Sequence, residues 1–242
     1  MLEAAKPIVV LSAGAVEYVI RQLGQRFTAA TGTPIEFTFR TIAGVRKLLA
    51  EGQMADIVVG TSGAIHEMEE AGTLVAGTRA DIGSTETGMC VREGAAVPDI
   101  STPEKLRDLL AGARSVAYSD PKVGGSSGIY LVAFMDRMGI LADVQKKSFL
   151  CKNGEDIVRA VASGEAEIGS TFVSEFPLAK GVTSAGAIPL AFGNATSYAA
   201  ALLKSGSLQP GSNSDAARRF LASLRSPELR TVWSSNGFTP AA

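Results

Sequence analysis

The chain has a single histidine, His66, and only two cysteines, Cys90 and Cys151, among 242 residues. A structural zinc site or a His-based metal triad needs several such ligands converging, and no dense carboxylate cluster replaces them, so no metal is expected. Hydrolase triads meet the same shortage, because His66 would have to serve alone. The cysteines form neither a CxxC pair nor a disulfide framework; each lies in an apolar stretch with strand character and reads as a buried free thiol. Charge is also scarce in one sense: 23 Lys and Arg face 24 Asp and Glu, leaving a net charge of −1. That balance excludes the basic surface by which a protein holds nucleic acid or an anionic membrane. Attraction for an anion must then be local. No apolar run reaches the roughly 18 to 20 residues of a membrane-spanning helix, so no membrane insertion is expected. Lys6 and Pro7 interrupt the apolar character of Met1 to Leu11, which lacks a basic-then-apolar leader. The expected location is periplasmic if a leader has been removed and cytoplasmic if Met1 is the native start. No cofactor is expected.

What the chain does have is a 46% apolar composition in an alternating order of strands and helices, the signature of parallel sheets covered by helices. Ile8 to Leu11 is a short apolar run. Val16, Val19, Ile20, Leu23 and Phe27 then recur at helical spacing until Gly32. The strand Ile35 to Phe39, a helix carrying Val45, Leu48 and Leu49, the strand Ile57 to Val59 and a helix through Ile65 and Met68 complete a first unit. Gly83 to Gly88 reads as turn-rich. A second unit follows: strand Met89 to Val91, helix Pro103 to Leu110, strand Val116 to Tyr118, a long helix with Ile129, Val132, Phe134 and Met138, strand Phe149 to Cys151, helix Glu155 to Ala162, and strand Ile168 to Val173. The segments Ala187 to Leu190 and Tyr198 to Leu203 and two helices, Ser214 to Leu224 and Pro227 to Ser235, close the chain. Two similar α/β units with a late return to the first predict a ligand cleft between lobes.

The strongest local signal is Tyr118 to Tyr130, in which a strand turns through Gly124, Gly125 and Gly128 into a helix. Glycines allow a sharp turn and a close ligand, while Ser126 and Ser127 stand where free helix N–H groups point outward. No Gly-Lys-Ser/Thr follows, so this is not a nucleotide loop; a well-capped helix is the structural alternative. Similar strand-to-helix turns occur at Ser12-Ala13-Gly14-Ala15, at Arg40-Thr41-Ile42-Ala43-Gly44 and at Thr61-Ser62-Gly63. Each ends a strand on its carboxyl side, where open α/β sheets bind ligands. Several helix N-termini converging there could hold an anion with little formal charge. Arg40 could add a bidentate contact to a carboxylate, its alternative being an ordinary surface arginine. Lys122 shares that ambiguity. Glu17 and Glu175 each sit near a helix start, where a carboxylate needs no functional role, and His66 reads as an ordinary half-exposed histidine.

Over nearly its whole length the sequence resembles the molybdate-binding proteins of ABC importers and their relatives, which have the type II periplasmic-binding fold. The resemblance is carried by Ile8 to Phe27, Ala55-Asp56-Ile57, the Asp120-Pro121 turn with Gly128-Ile129-Tyr130, and Gly237-Phe238. It implies two α/β lobes, one from residues 1–85 with 193–242 and one from 86–192, joined by crossing segments near 83–88 and 190–196. It also implies a small anionic ligand and a membrane permease as partners. The chain departs from molybdate binders where Ala15, Ile42 and Phe172 stand in place of expected hydroxyl donors. A buried anion needs its oxygens satisfied, so these losses argue against a small tetrahedral oxyanion, and Arg40 argues for a carboxylate. The Gly-Gly-Ser-Ser-Gly turn and the Arg40 region look closer to a branch associated with organic acids that includes aconitate isomerase.

Two function classes follow from the resemblance. One is capture of an organic di- or tricarboxylate by donors near Ser12, Ala13, Arg40, Thr41, Ser62, Ser126, Ser127 and Ser174. The other is double-bond isomerisation by a 1,3-proton shift, with Lys122, Glu17, His66 and Glu175 as candidate bases. Molybdate, tungstate or another oxyanion held by an altered shell is the third alternative.

Overall fold

The computed structural model describes residues 6–189, 195–207 and 213–241. The first half contains β1 (Ile8–Ala13), α1 (Glu17–Thr31), β2 (Ile35–Arg40), α2 (Ile42–Ala50), β3 (Ile57–Thr61), α3 (Ser62–Glu70), β4 (Ala80–Arg92), α4 (Pro103–Gly112) and β5 (Val116–Ser119). There follow α5 (Ser126–Arg137), α6 (Leu141–Gln145), β6 (Ser148–Cys151), α7 (Gly154–Ser163), β7 (Ile168–Phe172) and β8 (Val182–Ala187). The chain closes with β9 (Ala195–Leu202), α8 (Lys204–Ser207), α9 (Ser214–Ser223), α10 (Arg230–Ser234) and β10 (Phe238–Pro240). It divides into two compact units, Met1–Ser84 with Thr196–Ala242, and Thr85–Ala195.

In the first unit β1 lies between β2 and β3, parallel to both, and β9 runs antiparallel beside β3. Ile57, Val58 and Val59 are all fully buried, as expected of an inner strand covered on both faces. Leu11, Val45, Val58, Ile65 and Met68 pack together under α2 and α3. Strand residues alternate between faces, and Phe37 therefore takes the opposite side. There its ring lies 6.3 Å from that of Phe220 on α9, which also meets Phe27 of α1 edge-on at 5.2 Å.

In the second unit β5 is parallel to β6 and β7, and β4 runs antiparallel to both β7 and β8. Val116 and Tyr118 face a core with Leu106, Leu110, Leu131 and Phe134 under α4 and α5. Ala117, between them in sequence, faces Cys90, Ile157 and Val161 under α7. Burial of each large apolar side chain contributes about 1.5–3 kcal/mol.

Three expectations need correction. Gly83 to Gly88 is not a turn but the middle of the 13-residue strand β4. A Cβ at Gly83 would lie 2.4 Å from the Thr239 carbonyl oxygen, and one at Gly88 would lie 2.6 Å from that of Gly186. These glycines admit neighbouring backbones into a strand, which leaves the same sequence mark as a turn. Strand β8 was not anticipated either; it is built of small residues and meets β4 at a register shift between Met89 and Cys90. The helix expected over Pro227 to Ser235 is a 3₁₀ turn, Pro227–Leu229, followed by the short α10. The expected segment Ala187 to Leu190 is described only to residue 189, and the crossing segment near 190–196 falls outside the described residues up to 194. Among the described residues no helix is long and apolar enough to cross a membrane.

Candidate functional site

The parallel register of the first unit brings three strand ends level. Ala13 pairs with Arg40, and Ser12 pairs with Val59, two residues before the end of β3. Each strand then turns through an extended residue into a helix. Thr41 caps α2 by accepting from the Gly44 N–H at 3.2 Å, and Thr61 caps α3 by accepting from the Ala64 N–H at 3.4 Å. The N–H groups of Ile42 and Ala43, and of Ser62 and Gly63, precede the first intrahelical bonds and remain as donors. Ser12 is fully buried and donates to the carbonyl of Ala13 at 3.1 Å. Arg40 is exposed, with Nη1 donating to the Phe39 carbonyl at 2.7 Å.

In the second unit the glycine turn is organised by Ser119, the last residue of β5. Its hydroxyl accepts from the Gly128 N–H at 3.0 Å and lies 3.3 Å from the Ser127 hydroxyl. A Cβ at Gly128 would stand 1.9 Å from the Ser119 carbonyl oxygen, and one at Gly125 would stand 2.5 Å from the Ser119 hydroxyl. The glycines therefore let the first turn of α5 close onto the strand end. Asp120 caps the intervening 3₁₀ turn by accepting from the Lys122 N–H at 2.9 Å. Ser127 faces inward and is buried, whereas Ser126 is half-buried.

The end of β7 carries a second arrangement. Glu175 is buried and accepts a short hydrogen bond from the Thr171 hydroxyl and another from the Phe172 N–H at 3.3 Å. A Cβ at Gly154 would lie 2.2 Å from the Glu175 carboxyl carbon. The carboxylate thus rests against the first turn of α7, where the helix dipole favours negative charge. Ser174, beside it, is 1% exposed.

The four candidate bases occupy different settings. Glu17 is held by Arg21 at 2.7 Å, and Arg21 in turn lies over the Phe39 ring at 4.4 Å. His66 is exposed on α3, 3.5 Å from Glu70. Lys122 is exposed in the glycine turn. Glu175 is the buried one. Cys90 and Cys151 are free and buried, and burial pushes both thiols up to about 12. Among the described residues no group of His, Cys, Asp and Glu could hold a metal ion. The sequence places Ser119 and Thr61 in these turns but assigns neither a role. The spacing of Gly125 and Gly128 was the available signal for Ser119, since glycines at a helix start and in its first turn mark a place where something approaches closely.

Comparison with known proteins places these turns in a family. Residues 8–239 match the bacterial extracellular solute-binding protein family. The chain is 31% identical over 252 aligned residues to an aconitate isomerase of a Pseudomonas species, covering 99% of this chain and 91% of that protein. It is 25% identical to the molybdate-binding protein ModA of Mycobacterium bovis, covering 98% of this chain and 85% of that one. In structure it is similar to the periplasmic molybdate-binding protein of Azotobacter vinelandii, with a TM-score of 0.79 at 16% identity, covering 97% of this chain and all of the other. That likeness identifies the type II periplasmic-binding fold. The chain belongs to the bacterial extracellular solute-binding protein family.

Proposed function

We propose that the chain captures a small organic di- or tricarboxylate outside the cytoplasm and delivers it to the permease of an ABC-type importer. The observation that carries this reading is Arg40, an exposed guanidinium at the carboxyl end of β2, level with Ala13 and next to the capped start of α2. A guanidinium matches a carboxylate by two parallel hydrogen bonds. The N–H groups of Ile42, Ala43, Ser62 and Gly63 supply further donors without adding charge. Of the hydroxyls at these turns, Ser12 already donates to Ala13, Ala15 and Ile42 supply none, and Thr41, Thr61 and Ser62 remain. A small tetrahedral oxyanion, which needs a donor for every oxygen, finds less support here than a carboxylate. In the second unit, Ser126 and the free N–H groups at the start of α5 form a separate anion subsite, with Ser174 as a further candidate.

A thermal-shift panel of citrate, cis- and trans-aconitate, tricarballylate, molybdate, tungstate and sulfate tests the reading, because a ligand that binds only the folded state raises its stability. A shift with tricarboxylates and none with the metal oxyanions is expected. The reverse pattern would overturn it.

A second reading, isomerisation of an unsaturated tricarboxylate, is favoured by the similarity to the Pseudomonas aconitate isomerase. The reaction removes a proton from the methylene carbon and returns one to the former vinylic carbon as the double bond moves. Of the candidate bases, Glu17 is tied to Arg21 and Glu175 to Thr171, whereas among the described residues the Lys122 ammonium has no ion pair. Incubation with cis-aconitate in deuterated water, followed by NMR, decides the matter. Deuterium incorporation and trans product support an enzyme; their absence at high protein concentration leaves capture alone.

A further inference from the structure

The sequence contains two Asn-Gly pairs, Asn153-Gly154 and Asn236-Gly237. Asparagine is a thermolabile residue, and a following glycine, with no side chain in the way, leaves its backbone nitrogen open to the asparagine side chain. The fold holds the two pairs differently. Asn153 is exposed between β6 and α7 and is the N-cap of α7. Its Oδ1 accepts from the Asp156 N–H at 2.9 Å, while among the described residues its Nδ2 has no acceptor. The Gly154 N–H belongs to the first helical turn and likewise has no acceptor among the described residues. The helical bond that the Asn153 carbonyl accepts, from the Ile157 N–H, is long at 3.4 Å, so little resists rotation about the Asn153 Cα–C bond. At Asn236, just after α10, both reacting groups are engaged. Its Nδ2 donates to the Val232 carbonyl at 2.7 Å, and the Gly237 N–H donates to the Ser234 carbonyl at 3.4 Å.

We propose that Asn153 is a site of spontaneous deamidation and that the fold protects Asn236 from the same reaction. The Gly154 nitrogen attacks Cγ of Asn153. The new N–Cγ bond replaces the Cγ–Nδ2 bond, and Nδ2 leaves as ammonia with the proton of the Gly154 N–H. The Asp156 N–H, bonded to Oδ1, stabilises the negative charge that develops on that oxygen during the attack. Water then opens the five-membered imide. Opening at Cγ gives aspartate, and opening at the main-chain carbonyl gives isoaspartate, in which the backbone runs through Cβ and Cγ. One water is consumed and one ammonia released, with no oxidation. Aspartate caps a helix as well as asparagine does, and its charge suits the helix N-terminus. Isoaspartate instead adds a methylene to the backbone ahead of Gly154, where an added Cβ would already lie 2.2 Å from the Glu175 carboxyl carbon. The start of α7 and the carboxylate resting on it must then shift.

The modification does not depend on what the chain binds. The folded chain is incubated at mildly alkaline pH, digested and mapped by mass spectrometry, with a parallel incubation in urea. In the folded chain Asn153 is expected to convert about tenfold or more faster than Asn236, which must first give up two hydrogen bonds. In urea the two rates should converge. Asn153→Ser keeps an N-cap but has no amide, so that position should stay unchanged while Asn236 behaves as in the parent. The isoaspartyl chain, separated by ion exchange, is expected to melt below the Asn153→Asp variant, which carries the same charge without the added methylene. Equal rates at the two sites in the folded chain, Asn236 converting ahead of Asn153, or an Asn153 that converts only in urea would each overturn the proposal. An isoaspartyl chain that melts with Asn153→Asp would refute the displacement at the start of α7.

Discussion

Replacing Gly128 by alanine sets two effects of opposite sign against each other. Alanine is the better helix former, and in an unobstructed position on α5 the change would stabilise by about 1 kcal/mol. At Gly128, however, the new Cβ would stand 1.9 Å from the Ser119 carbonyl oxygen, 2.9 Å from its carbonyl carbon and 2.6 Å from its hydroxyl. Backbone cannot swing aside as a side chain can, so the first turn of α5 must lift. Such overpacking costs about 1–3 kcal/mol. Lifting also breaks the hydrogen bond from the Gly128 N–H to Ser119, a further loss of about 1 kcal/mol. The net expectation is destabilisation by about 1–3 kcal/mol, a fall in melting temperature of a few degrees or more for a chain of this size. Thermal unfolding followed by circular dichroism measures it, with Gly112→Ala as control. Gly112 ends α4 with nothing within 4 Å of its added Cβ and no positive φ, so that variant should be neutral or slightly stabilised. If Gly128→Ala melts at or above the parent temperature, the glycine turn is not the close-packed structure described.

Two further perturbations probe the second unit's interior. Ser170 is fully buried, and among the described residues its hydroxyl has no hydrogen-bond partner; Ser170→Ala should therefore leave urea stability unchanged or raise it by about 1 kcal/mol. A loss larger than that would reveal a partner. Burial holds the Cys90 and Cys151 thiols protonated up to about 12. Because both values lie above those of the unfolded chain, the associated stability is fully present below about pH 8.5 and declines as pH rises through the folded values. Ellman's reagent at pH 8 should accordingly titrate both thiols in urea and react slowly with the folded chain, and prompt reaction without denaturant would contradict their burial.

The parts of the fold that sequence disclosed are those whose signal is local. Val19, Ile20 and Leu23 recur at helical spacing because one face of α1 is buried, and Ile57 to Val59 is uniformly apolar because both faces of β3 are covered. Strand β4 was misread at Gly83 and Gly88 because what those glycines admit, Thr239 and Gly186, lies far away in sequence. The site behaved similarly. The turns at Ser12, Arg40, Ser62 and Ser126 were visible as strands running into helices. That Ser127 turns inward to Ser119, and that Glu175 sits against Gly154, depends on tertiary packing with no mark in the local pattern.

Calorimetric titration of the parent chain and of Arg40→Ala with trans-aconitate, and of the parent with molybdate, tests the carboxylate reading most directly. The parent is expected to bind trans-aconitate and not molybdate. Arg40→Ala is expected to weaken trans-aconitate binding by about 2 kcal/mol or more, roughly thirtyfold, as loss of a charged partner does. Binding of molybdate with no response to trans-aconitate, or an Arg40→Ala variant with undiminished affinity, would contradict it.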